Sequence, residues 1–296
     1  MSTDVLGKVL ALTCALLWSV AVIYFKRASD SLLPTALNLI KTVVGAVLLL
    51  PVLWLTGQTL FPSNVTANDW LIVSLSGIIG ISISDSLFFK CLGLLGAGLT
   101  AIVDCLYSPL VMAGSWLFLS NTVSIRQVGG ALLVVIAVLV STLKRDDTSL
   151  PTGRVVVGVL FGAGAMLCMA VSIVLMKPIL DRAPALWVTE IRLFAALAGL
   201  VVIILASRKR RQVIDSLKTG AGLRQALPGS VIGNFLSMTL WILAFKLTDV
   251  SSAAILNQMN TIFIVILASV WLKEPFTRRR LIGATFGFLG SLLVML

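Results

Sequence analysis

The sequence predicts an all-α integral membrane protein, with ten transmembrane helices arranged as two five-helix repeats of inverted topology. Of its 296 residues, 58% are hydrophobic and 12% are charged, whereas soluble domains are about 45–50% apolar and about 25% charged. The apolar residues form blocks of roughly 20, the length that crosses a hydrocarbon core of about 30 Å. Each block is expected to be helical, because lipid offers no partner for backbone N–H and C=O groups.

The chain contains ten such blocks, separated by polar connections. The predicted spans are 7–26, 34–55, 69–91, 97–119, 124–143, 154–177, 184–206, 227–247, 250–272 and 278–296. The first is interpreted as a span and not as a cleaved signal peptide. Its apolar stretch, from Val9 to Phe25, is longer than a signal core and lacks a small-residue cleavage site.

The two halves of the chain correspond to each other. The polar linker 144–153 separates a first repeat, residues 1–146, from a second, residues 147–296. Equivalent residues of the two halves follow in the same order and at a nearly constant separation. Lys26 matches Lys177 and Lys41 matches Arg192 at 151 residues, Arg126 matches Arg280 at 154, and Lys90 matches Lys246 at 156. Because each repeat has an odd number of spans, the second must cross the membrane in the opposite sense. Such repeats are typical of secondary transporters, whose substrate sites lie between the repeats.

Five ionisable side chains lie inside predicted spans, where a charge is costly and by default marks a functional site. They are Lys41, Asp85, Asp104, Glu190 and Arg192. The first three lie roughly 9–11 Å from one side of the membrane and predict a charged cluster. The alternative is a structural ion pair with one further carboxylate near water. Glu190 and Arg192 lie near the start of span seven, toward the opposite side.

Three amide side chains near the start of span nine form a second candidate group: Asn257, Gln258 and Asn260. Gln258 corresponds to Asp104 at a spacing of 154 residues. Amides both donate and accept hydrogen bonds, so they suit a carboxylate, amine or amide ligand. Asn257 and Asn260 are predicted to share one helical face. Hydrogen bonding between helices is the alternative role.

Aromatic, proline and glycine positions complete the candidates. Trp18, Tyr107 and Trp241 lie inside spans and are candidates for lining a cavity, with lipid contact or core packing as the alternative. Pro109 removes a backbone hydrogen bond and predicts a kink in span four. Two small-residue motifs, 158–162 and 283–287, suit close helix contact within the chain or in a homodimer.

Several classes of function are not predicted. Histidine is absent and the four cysteines have no metal-site or redox spacing. Neither enzyme activity, nor a cofactor, nor a metal is therefore expected. The net charge of +11 would attract phosphate, but Lys and Arg sit mainly at span ends, so nucleic-acid binding is not expected.

Three short motifs recur in a known family of transporters: Trp18 within Ala15-Leu-Leu-Trp-Ser19, Arg192-Leu-Phe194, and Lys273-Glu-Pro-Phe-Thr-Arg278 before Gly283. With these motifs, the arrangement resembles the ten-helix, EamA-like members of the drug/metabolite transporter superfamily. The resemblance covers essentially the whole chain. One departure is that the first half carries Ser120-Asn121 where the second carries Glu274-Pro275.

The resemblance implies a secondary transporter in the cell membrane that moves small metabolites, such as amino acids or related amphiphilic compounds, by alternating access. Its expected partners are this substrate and membrane lipid. Export from the cell is one direction of transport that fits. Proton coupling through Asp104 or Asp85, with Glu190 as the lesser candidate, and uncoupled facilitation both fit the residues. A membrane receptor or scaffold without transport is the alternative function.

The distribution of positive charge leaves two orientations open. Apart from Lys41 and Arg192, five Lys and Arg residues lie on the side of the termini and sixteen on the other. Because positive charge concentrates on the cytoplasmic side, this count favours termini outside the cytoplasm. The family resemblance implies termini inside it.

Overall fold

A computed structural model of the chain describes residues 3–62, 65–119, 123–143, 151–218, 220–247 and 256–295. Every regular element in these ranges is helical, which confirms the all-α prediction. The α-helices are α1 (Thr3–Ala28), α2 (Pro34–Leu55), α3 (Ala67–Gly77), α4 (Ser84–Leu95), α5 (Ala97–Asp104), α6 (Tyr107–Leu119), α7 (Ile125–Leu143), α8 (Thr152–Leu180), α9 (Ala185–Ala206), α10 (Arg210–Leu217), α11 (Gly220–Ser230), α12 (Met238–Leu247), α13 (Asn260–Trp271) and α14 (Arg278–Met295). Two π-helical segments, π1 (Ile78–Ile83) and π2 (Val231–Ser237), join α3 to α4 and α11 to α12.

Seven helical stretches within the described ranges are long and apolar enough to cross a membrane, and they correspond to the first seven predicted spans. The other three spans have different features. Helices α11 and α12 cover span eight with π2 between them, α13 has only 12 residues, and α14 begins with three arginines. The multi-pass membrane protein is therefore confirmed, while the count of ten crossings stays a prediction.

Span four is not one helix but two, and this corrects the prediction of a kink at Pro109. Helix α5 ends at Asp104 and α6 begins at Tyr107. At the break, Cys105 N donates to Ile102 O (3.3 Å) and Leu106 N to Val103 O (3.0 Å), which tightens the chain by one residue. Because Pro109 has no N–H, the Cys105 carbonyl accepts instead from Ser108 N at 3.3 Å. The proline thus lies in the first turn of α6, and the break precedes it.

Span nine is interrupted at the corresponding place. Leu256 and Asn257 are helical, Gln258 and Met259 form a turn, and α13 then begins at Asn260. Met259 N donates to Leu256 O at 3.2 Å, and Thr261 N donates to Gln258 O at 3.3 Å. Met259 lies 154 residues after Cys105, so both repeats break their fourth span at the same position.

The third spans also share an irregularity, because π1 and π2 begin 153 residues apart. A π-helical turn disturbs the regular hydrogen-bond ladder and often marks a functional region. At π1, the Asn38 side chain donates from Nδ2 to Ile81 O (2.8 Å) and Ser82 O (3.3 Å), which satisfies these carbonyls.

The two repeats interlock through these third spans. Helix α1 packs on α11, π2 and α12 of the second repeat, and α8 packs on α3, π1 and α4 of the first. The closest approaches are equivalent: a Cβ at Gly80 would overlap the Ser172 hydroxyl, and one at Gly233 would lie 2.7 Å from Ala21 Cβ. Ala21 and Ser172 are 151 residues apart, the spacing of the repeats.

Both small-residue motifs make close contacts inside the chain. A Cβ at Gly158 would lie 2.5 Å from Leu95, and one at Gly162 would lie 2.5 Å from Val103. In α14, Gly287 faces Cys105 and Gly283 faces Ser141 of α7. These contacts confirm that the motifs serve helix packing within the chain.

Candidate functional site

The predicted pairing of Lys41 with a carboxylate is present. Lys41 Nζ of α2 donates to Asp85 Oδ2 of α4, directly after π1. Both residues are buried, with 6% and 8% of their surfaces exposed. Asn234 of π2 donates from Nδ2 to Lys41 O at 3.2 Å, so the second repeat contacts the same turn of α2.

Asp104 is the last residue of α5 and lies at the break in span four. Its carboxylate interacts electrostatically with Asp85. Within the described ranges, no lysine or arginine forms an ion pair with it. Asp85 and Asp104 therefore differ, because one has a cation partner and the other does not.

Arg192 joins this cluster from the second repeat. Its Nη2 donates to Ser172 Oγ at 3.0 Å, and Ser172 Oγ donates to Ser76 O at 2.8 Å. Its Nε has no hydrogen-bond partner, and its charge interacts with Asp85 and Tyr107. The sequence placed Arg192 toward the opposite side of the membrane from Lys41. If Lys41 and Arg192 each lie about 10 Å from opposite faces of a hydrocarbon core of about 30 Å, only about 10 Å of depth separates their backbones. The long side chain of Arg192 can extend over most of that distance.

Glu190 does not join the cluster through a hydrogen bond. It is fully buried in α9, and neither carboxylate oxygen has a hydrogen-bond partner. Its neighbours along the helix, Trp187, Ile191 and Leu193, belong to an apolar cluster formed with α2 and α3. A buried polar group without a partner costs free energy, so packing alone gives no reason for an acid at this position.

The three amides surround the break in span nine. Asn257 Oδ1 accepts from Cys14 Sγ at 3.5 Å, and Asn260 O accepts from Ser19 Oγ at 3.2 Å, both in α1. Gln258 occupies the turn itself, as the counterpart of Asp104. Asn257 and Asn260 do not belong to one continuous helix, because the turn at Gln258 and Met259 lies between them, but both contact α1.

The two breaks meet in space. Cys105 Sγ, at the first break, lies 3.5 Å from Thr261 Oγ1, just after the second. Helix α5 also packs against α13, so the interrupted spans of the two repeats are in contact. Polar backbone and side-chain groups from both repeats are therefore concentrated at one place inside the protein.

The aromatic candidates occupy different environments. Tyr107, the first residue of α6, interacts electrostatically with Asp104 and Arg192. Trp18 is partly buried against the apolar core, near Gly233. Trp241 of α12 is exposed on the surface of the chain. Only Tyr107 thus joins the cluster of Lys41, Asp85, Asp104 and Arg192.

A pocket of about 400 Å³ begins at Tyr107. One wall is α6, and the facing wall comes from the start of α7 and the end of α14. The residues that line it are Tyr107, Ser108, Val111, Met112, Ser115, Val123, Gln127, Val294 and Met295. Gln127 Nε2 donates to Val294 O at 3.2 Å and ties α7 to α14 at the outer rim.

One interaction that positions α5, the helix that ends at Asp104, was not predicted from the sequence. The Glu274 carboxylate accepts from Ala97 N (2.7 Å) and Gly98 N (3.1 Å) at the start of α5, and from Arg280 Nη1 (3.1 Å). Gly96 has a positive φ of 84°, and a Cβ there would lie 2.5 Å from the carboxylate. The available signal was Gly96-Ala-Gly98 at the start of a helix, since a helix N-terminus attracts anions.

Comparisons with known proteins agree with this architecture. The profile of the EamA-like transporter family matches residues 5–143 and again residues 156–296. A comparison with curated protein sequences finds no match. A solved structure, titled only as the crystal structure of a protein, is similar with a TM-score of 0.67 and 16% identity, covering 98% of this chain and 96% of its own. This similarity concerns the fold alone.

Proposed function

The chain belongs to the EamA-like transporter family of the drug/metabolite transporter superfamily, and from this premise we propose that it is a secondary carrier of small amphiphilic metabolites, amino acids above all. It works in the cell membrane by alternating access between two inverted repeats, residues 1–146 and 147–296. No covalent chemistry is involved, because a carrier needs only a polar site that each side of the membrane reaches in turn.

The observation that carries this proposal is the meeting of the two interrupted spans. Non-helical backbone at membrane depth is tolerated where it lines a cavity or is buried in protein, and transporters use such breaks to bind substrates. Here both breaks lie at equivalent repeat positions, and Cys105 contacts Thr261 between them. A helix interrupted at this point also allows α5 and α6 to move separately.

The charges beside the breaks suit a zwitterion. Asp104 has no cation partner within the described chain, so it is available to a substrate amine. Arg192 has an unpartnered Nε, and its planar guanidinium matches a carboxylate. Lys41 and Asp85 neutralise each other and hold α2 against α4. An amino acid would thus bridge Asp104 of the first repeat and Arg192 of the second.

Proton coupling follows from the same difference between the two aspartates. Protonating Asp85 would break its ion pair with Lys41, whereas protonating Asp104 breaks no ion pair among the described residues. Asp104 is therefore the proton carrier. Because the proton and the substrate amine compete for one carboxylate, the carrier exchanges protons for substrate, and an inward proton gradient drives export.

The test uses purified protein in sealed liposomes with radiolabelled leucine and phenylalanine. We expect protein-dependent counterflow, and net flux whose direction follows an imposed pH gradient. Asp104→Asn should lose the gradient-driven flux. Asp215→Asn, which removes an exposed acid of α10 paired with the exposed Lys218, is the matched control and should transport like the parent.

Three outcomes separate the alternatives. Net flux that ignores the pH gradient, together with parental transport by Asp104→Asn, would contradict proton coupling and leave an uncoupled carrier. If gradient-driven flux is retained in Asp104→Asn but lost in Asp85→Asn, then Asp85 and not Asp104 is the proton carrier. Folded protein that catalyses no flux of any amino acid tested would favour a receptor or scaffold.

A further inference from the structure

The pocket between α6, α7 and α14 changes in polarity along its length. Its inner end is Tyr107, which interacts with Asp104 and Arg192, and the hydroxyl of Ser108 is next to it. Further along α6, Val111 and Met112 face the pocket, and Val294 lies across from them. None of the residues that line it is ionisable at neutral pH. The pocket thus passes from a polar end at Tyr107 and Ser108 to an apolar surface at Val111 and Met112.

Ser108 makes the inner end a site for a ligand. The residue is 5% exposed, and its Oγ has no hydrogen-bond partner, although a buried hydroxyl without one costs free energy. It lies in the first turn of α6, where the helix dipole favours a polar or negative group. A ligand that enters the pocket with its polar end first would satisfy this hydroxyl.

The walls of the pocket are connected to the rest of the chain in different ways. Helices α7 and α14 are held together where Gly130 and Gly290 bring their backbones into contact, a Cβ at either lying 2.7 Å from the other's carbonyl oxygen. Gln127 adds a hydrogen bond at the rim. Helix α6, in contrast, is separated from α5 by the break at Cys105 and Leu106. The pocket therefore changes width when α6 moves.

We propose that this pocket is the subsite for the apolar side chain of the substrate, and that it makes the carrier selective for amino acids with apolar side chains. This inference rests on the proposed function. The amine and carboxylate bind at Asp104 and Arg192, and the side chain lies along Val111 and Met112. The volume of about 400 Å³ falls within the range of small-molecule sites. Glycine leaves the subsite empty, and lysine would bring a charge into a pocket without a counter-charge.

Competition in the liposome counterflow assay tests the selectivity. Against labelled leucine, unlabelled phenylalanine should compete at least about 10-fold better than glycine, since each missing methylene in an apolar pocket costs about 10-fold or more. Val111→Trp fills the subsite and should reduce the phenylalanine-to-glycine ratio about 10-fold. Leu117→Trp places the same indole side chain at an exposed position of α6 and should leave the ratio unchanged.

A labelling experiment tests the location without relying on a bulky substitution. In a Cys168→Ser background the remaining cysteines are buried, and Ser115→Cys places one thiol in the pocket. Phenylalanine should slow its reaction with a maleimide at least several-fold, and glycine should not. If leucine is transported but neither Val111→Trp changes the ratio nor phenylalanine protects Ser115→Cys, the subsite is refuted while the carrier stands. If the parent transports no amino acid, the proposed function fails, and the inference fails with it.

Discussion

Replacing Glu274 by alanine tests whether one carboxylate holds the start of α5 in place. The side chain accepts two backbone N–H groups of that helix and one Arg280 N–H. Loss of a helix-capping side chain costs about 0.5–2 kcal/mol. The same substitution leaves the Arg280 guanidinium, 5% exposed as a residue, without its counter-charge, and breaking a buried pair from one side costs about 3–5 kcal/mol. We therefore expect Glu274→Ala to destabilise the protein by about 3–5 kcal/mol.

A double-mutant cycle separates the two contributions. Arg280→Met removes the buried charge while Glu274 keeps its bonds to α5, so this variant should lose less stability than Glu274→Ala. The combined variant should be more stable than the sum of the single losses predicts, with a coupling energy of about 0.5–3 kcal/mol. Glu274→Gln, which keeps one acceptor oxygen, should fall between the parent and alanine.

The assay is chemical unfolding of purified protein in mixed micelles, followed by tryptophan fluorescence and fitted for the free energy of unfolding. Lys218→Met, an exposed lysine paired with Asp215 on the surface, is the control and should change stability by less than about 1 kcal/mol. A coupling energy near zero, or a Glu274→Ala protein as stable as the parent, would refute the reasoning.

Three further predictions concern the interior. Lys41→Met leaves Asp85 buried and unpaired, so unfolding should be easier by about 3–5 kcal/mol; adding Asp85→Asn should recover most of this, and an equal loss in the double variant would contradict the pair. Glu190→Gln removes an acid without hydrogen-bond partners, so stability should stay within about 1 kcal/mol of the parent or rise; a larger loss would mean that the carboxylate has a stabilising partner. Gly80→Ala forces a methyl group onto the Ser172 hydroxyl and should cost about 1–3 kcal/mol; Ser172→Ala in the same chain should recover part of it, whereas no cost at all would show that π1 and α8 separate easily.

The sequence predicted those features that depend on residues close together in the chain. Hydropathy is read from consecutive residues, so seven long spans and the helical class followed from composition alone. The repeat was visible because Lys41 and Arg192 stand out in apolar surroundings. The pairing of Lys41 with a carboxylate was predictable as well, since a buried lysine needs a partner and two aspartates lay at similar depth.

The tertiary structure decided where helices stop being regular. Cys105 and Leu106 do not interrupt the apolar block of span four, and the amides around Gln258 show that span nine is polar there but not that its helix stops. A break inside the membrane survives only if neighbouring groups satisfy the backbone, and here the two breaks lie against each other. The π1 segment likewise depends on Asn38, which is more than 40 residues away in sequence.

Other contacts between a side chain and a different helix could not be predicted from the sequence either. Glu274 reaches α5 from the loop before α14, and Arg192 donates to Ser172 of another helix, so neither contact has a sequence spacing that identifies it. By itself the sequence determined that the protein lies in a membrane, that it is helical and that it consists of two similar halves. These properties follow from the local balance of apolar and polar residues. Only the packing of the repeats decided which charges meet and where a pocket opens, because those depend on distances between helices that are far apart in the chain.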